Sequence, residues 1–158
     1  MAQAQVNNRS GQDTTIFISN TVFMPKYSYE SGVENWGVDV ADFNGDGFID
    51  IVSCSQKDNK VNVHLNNGIG KFPSRYSYSC GNSPRDVVVG DFNKDKAPDF
   101  AVVGTGDGAL TWMLNDGKGR FYEKKSIKTG PNPHMCSAGT SIWMAIWTSL
   151  PLRTATEC

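Results

Sequence analysis

A nine-residue stretch from position 42 to position 50 places oxygen-bearing side chains at alternating positions. Asp42, Asn44, Asp46 and Asp50 occupy its positions 1, 3, 5 and 9, and a glycine stands at position 6, where such a loop turns sharply. Hard divalent cations bind several oxygen ligands, with backbone carbonyl groups completing the shell. The stretch therefore predicts a Ca²⁺ site made of these four side chains and the backbone carbonyl of Phe48. Calcium fits better than magnesium, because an all-protein cage with flexible geometry suits the larger ion.

A second stretch of the same form lies between positions 91 and 99. Its predicted ligands are the side chains of Asp91, Asn93, Asp95 and Asp99 and the backbone carbonyl of Ala97. Lys96 replaces the glycine at position 6 and adds a positive charge, and Pro98 stiffens the approach to the last acid. If position 6 needs a positive φ, a residue other than glycine costs roughly 1 kcal/mol there. We expect this second site to bind Ca²⁺ more weakly than the first.

The two loops have two other interpretations. An EF-hand loop carries a bidentate Glu at position 12, but Ser53 and Val102 stand at that position. A helix should also follow an EF-hand loop, whereas β-branched strand residues follow both stretches, so we reject this interpretation. A plain Asn/Asp/Gly turn needs no metal. That alternative stays open, although the presence of two loops in register favours a metal site.

The chain repeats itself with a period of 49 residues. Phe23, Phe72 and Phe121 are spaced by this distance, and so are Asp42 and Asp91. The segment from 65 to 72, Leu-Asn-Asn-Gly-Ile-Gly-Lys-Phe, lines up at the same offset with Leu-Asn-Asp-Gly-Lys-Gly-Arg-Phe at 114–121. A fixed period of this length indicates stacked structural units, such as those of solenoids and propellers.

Each period has the pattern of short strands. Apolar and polar side chains alternate in residues 37–41 and 61–65, and β-branched residues follow the acidic loop. A similar order recurs in the second period. We predict an all-β fold of β-propeller-type blades with four antiparallel strands each, comprising about two complete blades and a disrupted third. The predicted segments are a lead-in at 1–22, repeat 1 at 23–71, repeat 2 at 72–120 and a partial repeat 3 at 121–158. Ile16-Phe17-Ile18 in the lead-in is a candidate strand of a preceding blade.

The acidic loop at 42–50 together with the Asn-Asn-Gly turn at 66–68 resembles the FG-GAP/VCBS repeat family, over about residues 23–135. The resemblance implies blades like those of integrin α-subunit propellers and an extracellular or secreted setting. It implies little about activity, because such repeats serve cell adhesion, carbohydrate binding and enzyme scaffolding alike. Since propellers typically need four to eight blades, we expect a fragment of a larger propeller. Self-association through open blade edges is the alternative.

The C-terminal tail departs from the repeat. A third acidic loop is expected from position 140, but residues 140–158 are rich in Trp and hydrophobic residues and contain none. Codons read one base earlier give Asp, Gly and Asp at 144, 145 and 148, two periods after positions 46, 47 and 50. We therefore hypothesise a frameshift between about His134 and Thr140, leaving a tail translated out of frame from about position 136. A divergent but genuine C-terminus is the alternative, and the gene sequence would decide between them.

Composition and motifs exclude several classes of function. The net charge of −1 gives no electrostatic basis for binding nucleic acid, and no apolar run approaches the ~20 residues of a membrane span. The first 20 residues lack the apolar core of a signal peptide. No hydrolase, metalloprotease or phosphate-loop motif occurs, so no catalytic residue is proposed, and His64 and His134 are interpreted as structural or surface residues. Cys54 and Cys80 either form a disulfide or, more simply, are unpaired thiols that are partly buried.

The sequence thus predicts a non-catalytic, Ca²⁺-binding repeat module that presents a surface to a protein or glycan partner. One alternative is a set of scaffold blades from an extracellular polysaccharide-active enzyme whose catalytic residues lie outside this chain. The other alternative is a non-functional truncated product.

Overall fold

The structure is a computed structural model in which residues 16–18, 21–23 and 27–134 are described. This part of the chain contains ten strands and no helix. They are β1 (Ile16–Ile18), β2 (Thr21–Phe23), β3 (Asn35–Ala41), β4 (Asp50–Ser55), β5 (Lys60–Leu65), β6 (Ser74–Ser79), β7 (Pro84–Gly90), β8 (Asp99–Gly104), β9 (Ala109–Asn115) and β10 (Phe121–Lys128). The hypothesised frameshifted tail, the expected third loop and the side chain of Phe23 lie outside the described residues.

Eight of the strands form two four-stranded antiparallel sheets. The first blade has the order β3-β4-β5-β6 and the second blade has the order β7-β8-β9-β10. β1 and β2 pair antiparallel in a separate two-stranded sheet. The prediction of an all-β fold with propeller-like blades is confirmed, and the two blades do not close into a ring. The candidate strand at 16–18 is also confirmed, as β1.

The two blades share one irregularity of strand pairing as well as their strand order. The pairing of β3 with β4 shifts register between Asn35 and Val38, and the pairing of β7 with β8 shifts between Pro84 and Asp86, one period later. The sheets, however, are offset from the sequence repeats. The first blade ends with β6 at 74–79, beyond the predicted repeat boundary at 71, so its outer strand comes from the start of the next sequence repeat.

The main hydrophobic core lies between the two blades. Aromatic rings occupy its centre: Phe121 contacts Phe43 and Tyr78, each with ring centroids 5.5 Å apart, and Phe100 at 4.4 Å. Around them the first blade contributes β-branched residues from its inner face and the second blade contributes the facing residues of β7, β8 and β9. The buried members are Phe43, Val52, Cys54, Val61, Val63, Cys80, Val87, Phe100, Val102, Met113 and Phe121. Burial of this apolar area is the main attraction that joins the blades.

The blades approach each other most closely where β3 crosses β7. A Cβ atom on Gly37 would lie 2.6 Å from the Cα of Asp86, so only glycine allows this approach. Nearby, the backbone N–H of Val89 donates to a carboxylate oxygen of Asp39 at 2.8 Å. The absence of a side chain at Gly37 and the hydrogen bond between Asp39 and Val89 therefore set the distance between β3 and β7.

Cys54 and Cys80 lie in the core between the blades. Both are buried thiols and no disulfide joins them, so the disulfide alternative is wrong and the interpretation as buried thiols is confirmed. The Cys80 sulfur lies 3.7 Å from that of Met113. Burial raises the pKa of the Cys54 thiol, which keeps it protonated and poorly reactive.

The repeat supplies a matched pair of variants that tests this core. Phe121→Ala should lower the free energy of unfolding by about 3–5 kcal/mol, because it empties the centre of the aromatic cluster. Phe72→Ala removes the equivalent side chain of the first blade, which is only half-buried, and should cost clearly less. Urea unfolding followed by circular dichroism measures both. Equal losses for the two variants would contradict the assignment of the main core to the space between the blades.

Candidate metal-binding loops

The two acidic stretches form the connections between the first two strands of each blade. The first loop, residues 42–50, joins β3 to β4, and the second loop, residues 91–99, joins β7 to β8. Both loops therefore lie at the same corner of their blades. The nearest neighbour of each is the hairpin between the third and fourth strands, at 66–73 and 116–120. The acidic loops are where the sequence pattern predicted them, between two strands.

The last acid of each loop is a buried clamp. In the first loop, Asp50 is fully buried and accepts the backbone N–H of Phe43 at 2.9 Å and that of Asn66 at 2.7 Å. Asp99 is also fully buried and accepts the equivalent amides of Phe92 and Asn115, both at 2.8 Å. Each carboxylate thus ties the start of its loop to the end of the third strand. This structural role was not predicted from the sequence.

The first acid of each loop holds the turn itself. Asp42 accepts backbone N–H groups from Gly45 and Asp46 through one oxygen, at 2.8 and 3.1 Å. Its other oxygen accepts the N–H of Gly47 at 2.8 Å. In the second loop, Asp91 accepts the N–H of residue 95 at 3.1 Å and that of residue 96 at 2.9 Å. The carboxylates at position 1 therefore order the loop around their own oxygen atoms.

The predicted ligands at positions 3 and 5 form the same short chain of hydrogen bonds in both loops. The Asn44 side-chain N–H donates to Asp46 at 2.8 Å, and Asp46 accepts the N–H of Phe48 at 2.9 Å. The corresponding distances from Asn93 to Asp95 and from the N–H of Ala97 to Asp95 are 2.7 and 2.8 Å. The structure thus brings the side chains at positions 1, 3 and 5 of each loop into one compact turn. The acid at position 9 is held apart from them by its bonds to the loop start and the hairpin.

The second loop adopts this turn at a conformational cost. Positions 4 and 6 have positive φ in both loops: 73° and 85° at Gly45 and Gly47, and 62° and 75° at Lys94 and Lys96. A residue other than glycine in this region costs roughly 1 kcal/mol. Position 6 therefore does need a positive φ, and position 4 shares this requirement. The clamp and the Asp91 hydrogen bonds hold the backbone in this shape despite two strained lysines.

Like charges accumulate in both loops. Burial is the main cause that raises the pKa of Asp50, and the nearby carboxylates of Asp46 and Asp42 raise it further, against the lowering effect of the two amides. In the second loop, burial and then the charges of Asp95 and Asp91 raise the pKa of Asp99 to about 6. The carboxylates of each loop therefore repel one another, and a bound cation would relieve that repulsion.

The oxygen atoms of the loops suit a hard cation, although most of the carboxylate oxygens also accept hydrogen bonds that hold the loop together. Within the described residues, no three carboxylate, imidazole or thiol groups already stand in an arrangement that could hold a metal ion. Each carboxylate nevertheless has about four lone-pair sites. Asp46 and Asp50 each use two of theirs for the bonds described above, and Asp42 uses three. The side chains of Asp42, Asn44, Asp46 and Asp50 with the Phe48 carbonyl therefore fit Ca²⁺ in chemistry, and the corresponding groups of the second loop do so as well.

Asn66 and Asn115 are site residues that the sequence reasoning treated only as turn residues. The Asn66 side-chain N–H donates to the carbonyl of Ile49 at 3.0 Å, which joins the hairpin to the acidic loop. Asn115 donates in the same way to Pro98 at 3.0 Å and also to the carbonyl of Phe43 at 2.8 Å, across the blade interface. The repetition of Leu-Asn at the 49-residue offset was the signal that could have identified them.

Two four-stranded antiparallel blades, each with an acidic loop at the same corner, define a propeller-type repeat module. Residues 42–102, which include both acidic loops, match the family model described as FG-GAP-like repeat. This segment is therefore an FG-GAP-like repeat, and the resemblance to the FG-GAP/VCBS family is confirmed. No curated protein and no solved structure matches the chain. Among the described residues, no helix is long and apolar enough to cross a membrane.

The burial of Asp99, together with the nearby charges of Asp95 and Asp91, predicts a measurable pH dependence. Because its pKa is raised in the folded state, Asp99 holds a proton between about pH 4 and pH 6 that the unfolded chain has lost. Its contribution to folding stability is therefore full below about pH 4 and is lost as the pH rises through 6. In the presence of chelator, NMR of the side-chain carboxyl carbon should show a midpoint near 6, and Asp95→Asn should lower it. A midpoint near 4 in the natural chain would contradict the raised pKa, and an unchanged midpoint in Asp95→Asn would contradict the repulsion.

Proposed function

We propose that this FG-GAP-like repeat module is a non-catalytic recognition module whose two acidic loops bind Ca²⁺. The observation that supports this most directly is that the two loops share most of their hydrogen bonds and the positive φ at positions 4 and 6. The second loop keeps that shape although two lysines must adopt positive φ and three carboxylates repel one another. A strained and repulsive turn is unfavourable as a simple connection between strands. Cation binding gives a reason for the shape, because the ion offsets the repulsion between the carboxylates.

Bound Ca²⁺ would stiffen the corner of each blade. The ligands come from both ends of a loop, so occupancy would join Asp42 at the end of β3 to Asp50 at the start of β4. The same acid holds the hairpin through Asn66, so the stiffening would extend to two neighbouring connections. A rigid set of loops at one edge of a blade is a suitable surface for a protein or glycan partner, because less conformational entropy is lost on binding. An extracellular setting, where free Ca²⁺ is plentiful, fits this role.

Calcium should stabilise the folded chain. At a Ca²⁺ concentration about 100-fold above Kd, one site adds about 2.7 kcal/mol, which raises Tm by roughly 10 °C for a folded unit of this size. Differential scanning calorimetry with Ca²⁺, with Mg²⁺ and with chelator measures the effect. We expect a larger rise with Ca²⁺ than with Mg²⁺, because the predicted cage supplies only protein oxygen atoms and carbonyl groups.

A variant of the two loops and a control variant outside them separate a specific site from general charge screening. Asp46→Asn combined with Asp95→Asn removes one carboxylate from each loop while leaving an oxygen at each position, and it should abolish most of the Ca²⁺-dependent rise. Asp116→Asn removes one carboxylate from the hairpin and creates the residue that the first blade carries there, Asn67, so the rise should persist. If both proteins respond to Ca²⁺ like the unmodified chain, the loops are ordinary turns and the proposal fails.

A further inference from the structure

A cavity of about 340 Å³ lies on the face of the first blade that points away from the second blade. Ile51, Ser53 and His64 form part of its floor, on the opposite side of β4 and β5 from the core residues Val52 and Val63. A volume of this size is at the lower end of the range for small-molecule sites in proteins, about 300–1,000 Å³. The cavity can therefore hold one small ligand.

Two buried polar atoms in this cavity have no hydrogen-bond partner among the described residues. They are the hydroxyl oxygen of Ser53 and Nε2 of His64, and both residues are only 5 % exposed. Both side chains line the cavity, and burying a polar atom without a partner is unfavourable. An occupant that fits the cavity therefore has hydrogen-bonding groups that face these two side chains.

The chemistry of the two side chains favours an uncharged ligand with hydroxyl groups. Burial, and then the positive charge of Arg75, lowers the pKa of His64, so its imidazole is neutral at pH 7 and has one donor and one acceptor nitrogen. The Ser53 hydroxyl both donates and accepts. None of the described residues that line the cavity is Asp, Glu, Lys or Arg. The lining therefore gives no charge to hold an ion, whereas hydroxyl groups can satisfy both polar atoms.

Aromatic rings form the walls of the cavity. Tyr29 and Phe72 meet edge to face, with ring centroids 5.5 Å apart. Trp36 also lines the cavity and is 56 % exposed, and the guanidinium group of Arg85 lies 4.5 Å from the centre of its ring. This cation–π contact with the second blade holds the indole in place. Aromatic walls beside polar groups fit a ligand that is apolar on one face and carries hydroxyl groups at its edge, as a sugar ring does.

The second blade shows that the repeat does not require polar side chains at these positions. One period later, Val102 and Met113 replace Ser53 and His64, and both are buried in the core between the blades. The two apolar side chains meet an apolar surface there. A surface of that kind packed against the first blade would leave the Ser53 and His64 atoms without partners. The cavity therefore differs chemically from its counterpart in the second blade and suits a polar ligand.

We propose that this cavity binds one neutral sugar ring of a glycan, with Trp36 against the C–H face of the ring and with Ser53 and His64 bonded to its hydroxyl groups. The site is separate from the acidic loops, and the proposal does not rest on Ca²⁺ binding there. Of the two kinds of partner considered above, protein and glycan, it assigns the glycan to a definite place on the first blade.

The test is an NMR titration of the full chain with the methyl glycosides of glucose, galactose, mannose, xylose and fucose. It is run in chelator, so that its outcome is independent of the acidic loops. At least one glycoside should shift the signals of the Trp36 indole N–H and the His64 ring, with a Kd of about 1–10 mM for a ligand of this size. No shift from any of the five at about 100 mM would overturn the proposal.

A double variant copies the second blade and tests the two polar atoms. Ser53→Val with His64→Met gives the first blade the residues that its counterpart carries, so the fold should accept it. The variant should weaken sugar binding about ten-fold or more, while Tm stays the same or rises because no polar atom is left without a partner. If it binds the sugar as tightly as the natural chain, the sugar binds elsewhere and the proposal is overturned.

Substitutions of exposed residues on β3 test the aromatic wall. Trp36→Ala should weaken sugar binding about as much as the double variant, and Trp36→Phe should keep most of the affinity because an aromatic face remains. Val40→Ala is the matched control, since Val40 is 52 % exposed on the same strand and is not among the residues that line the cavity. Equal loss of affinity in Trp36→Ala and Val40→Ala would contradict the stacking role.

Two further measurements decide between the sugar and other occupants. Phenol, a small aromatic probe, should shift the Trp36 and His64 signals less than the best glycoside does at the same concentration. If phenol binds more tightly than every glycoside, an aromatic side chain of another protein segment is the better occupant and the proposal is overturned. Sedimentation should show a monomer, and a dimer that Trp36→Ala dissociates would make a second copy of the chain the occupant and would also overturn it.

Discussion

The buried carboxylate at the start of the second strand of each blade is the constraint on which much of this structure depends. Asp50 receives one backbone amide from the start of its loop and another from the hairpin beyond β5. Three separate parts of the blade are therefore fixed at one side chain. A charge in this position is costly to bury, as the raised pKa shows. The two charge-assisted hydrogen bonds offset part of that cost, and a cation in the loop would offset more.

The clamp also determines how blades stack. Its amide partner in the first loop, Phe43, is the residue whose ring enters the core between the blades and contacts Phe121. The carbonyl of the same residue accepts from Asn115 of the second blade. The backbone of the acidic loop and the packing between the blades are therefore connected through Phe43. A change in the loop that moved Phe43 would therefore disturb the interface as well as the turn.

The two copies of the repeat distinguish the residues that the shape of the turn uses from the residues that differ between the blades. Both loops keep the acids at positions 1, 5 and 9, and the Asn at position 3, because the hydrogen bonds of the turn use them. Glycine at positions 4 and 6 is replaceable, since Lys94 and Lys96 adopt the same positive φ. The faces of the blades vary more: Ser53 and His64 stand where the second blade has Val102 and Met113. Backbone shape is thus shared, while the polarity of the surface depends on what each blade contacts.

The amino-acid sequence by itself determined the period, the strand content, the blade type and the place of the acidic loops. These features are local, because alternation and turn residues act over a few positions and the 49-residue offset aligns them. Only the tertiary structure decided that Asp50 and Asp99 are buried clamps, that β6 belongs to the first blade and that Cys54 and Cys80 remain thiols. The clamps depend on amides 16 residues away, β6 depends on its pairing with β5, and the thiols depend on how the two sheets pack. A local pattern carries no information about such partners until the sheets have paired and packed.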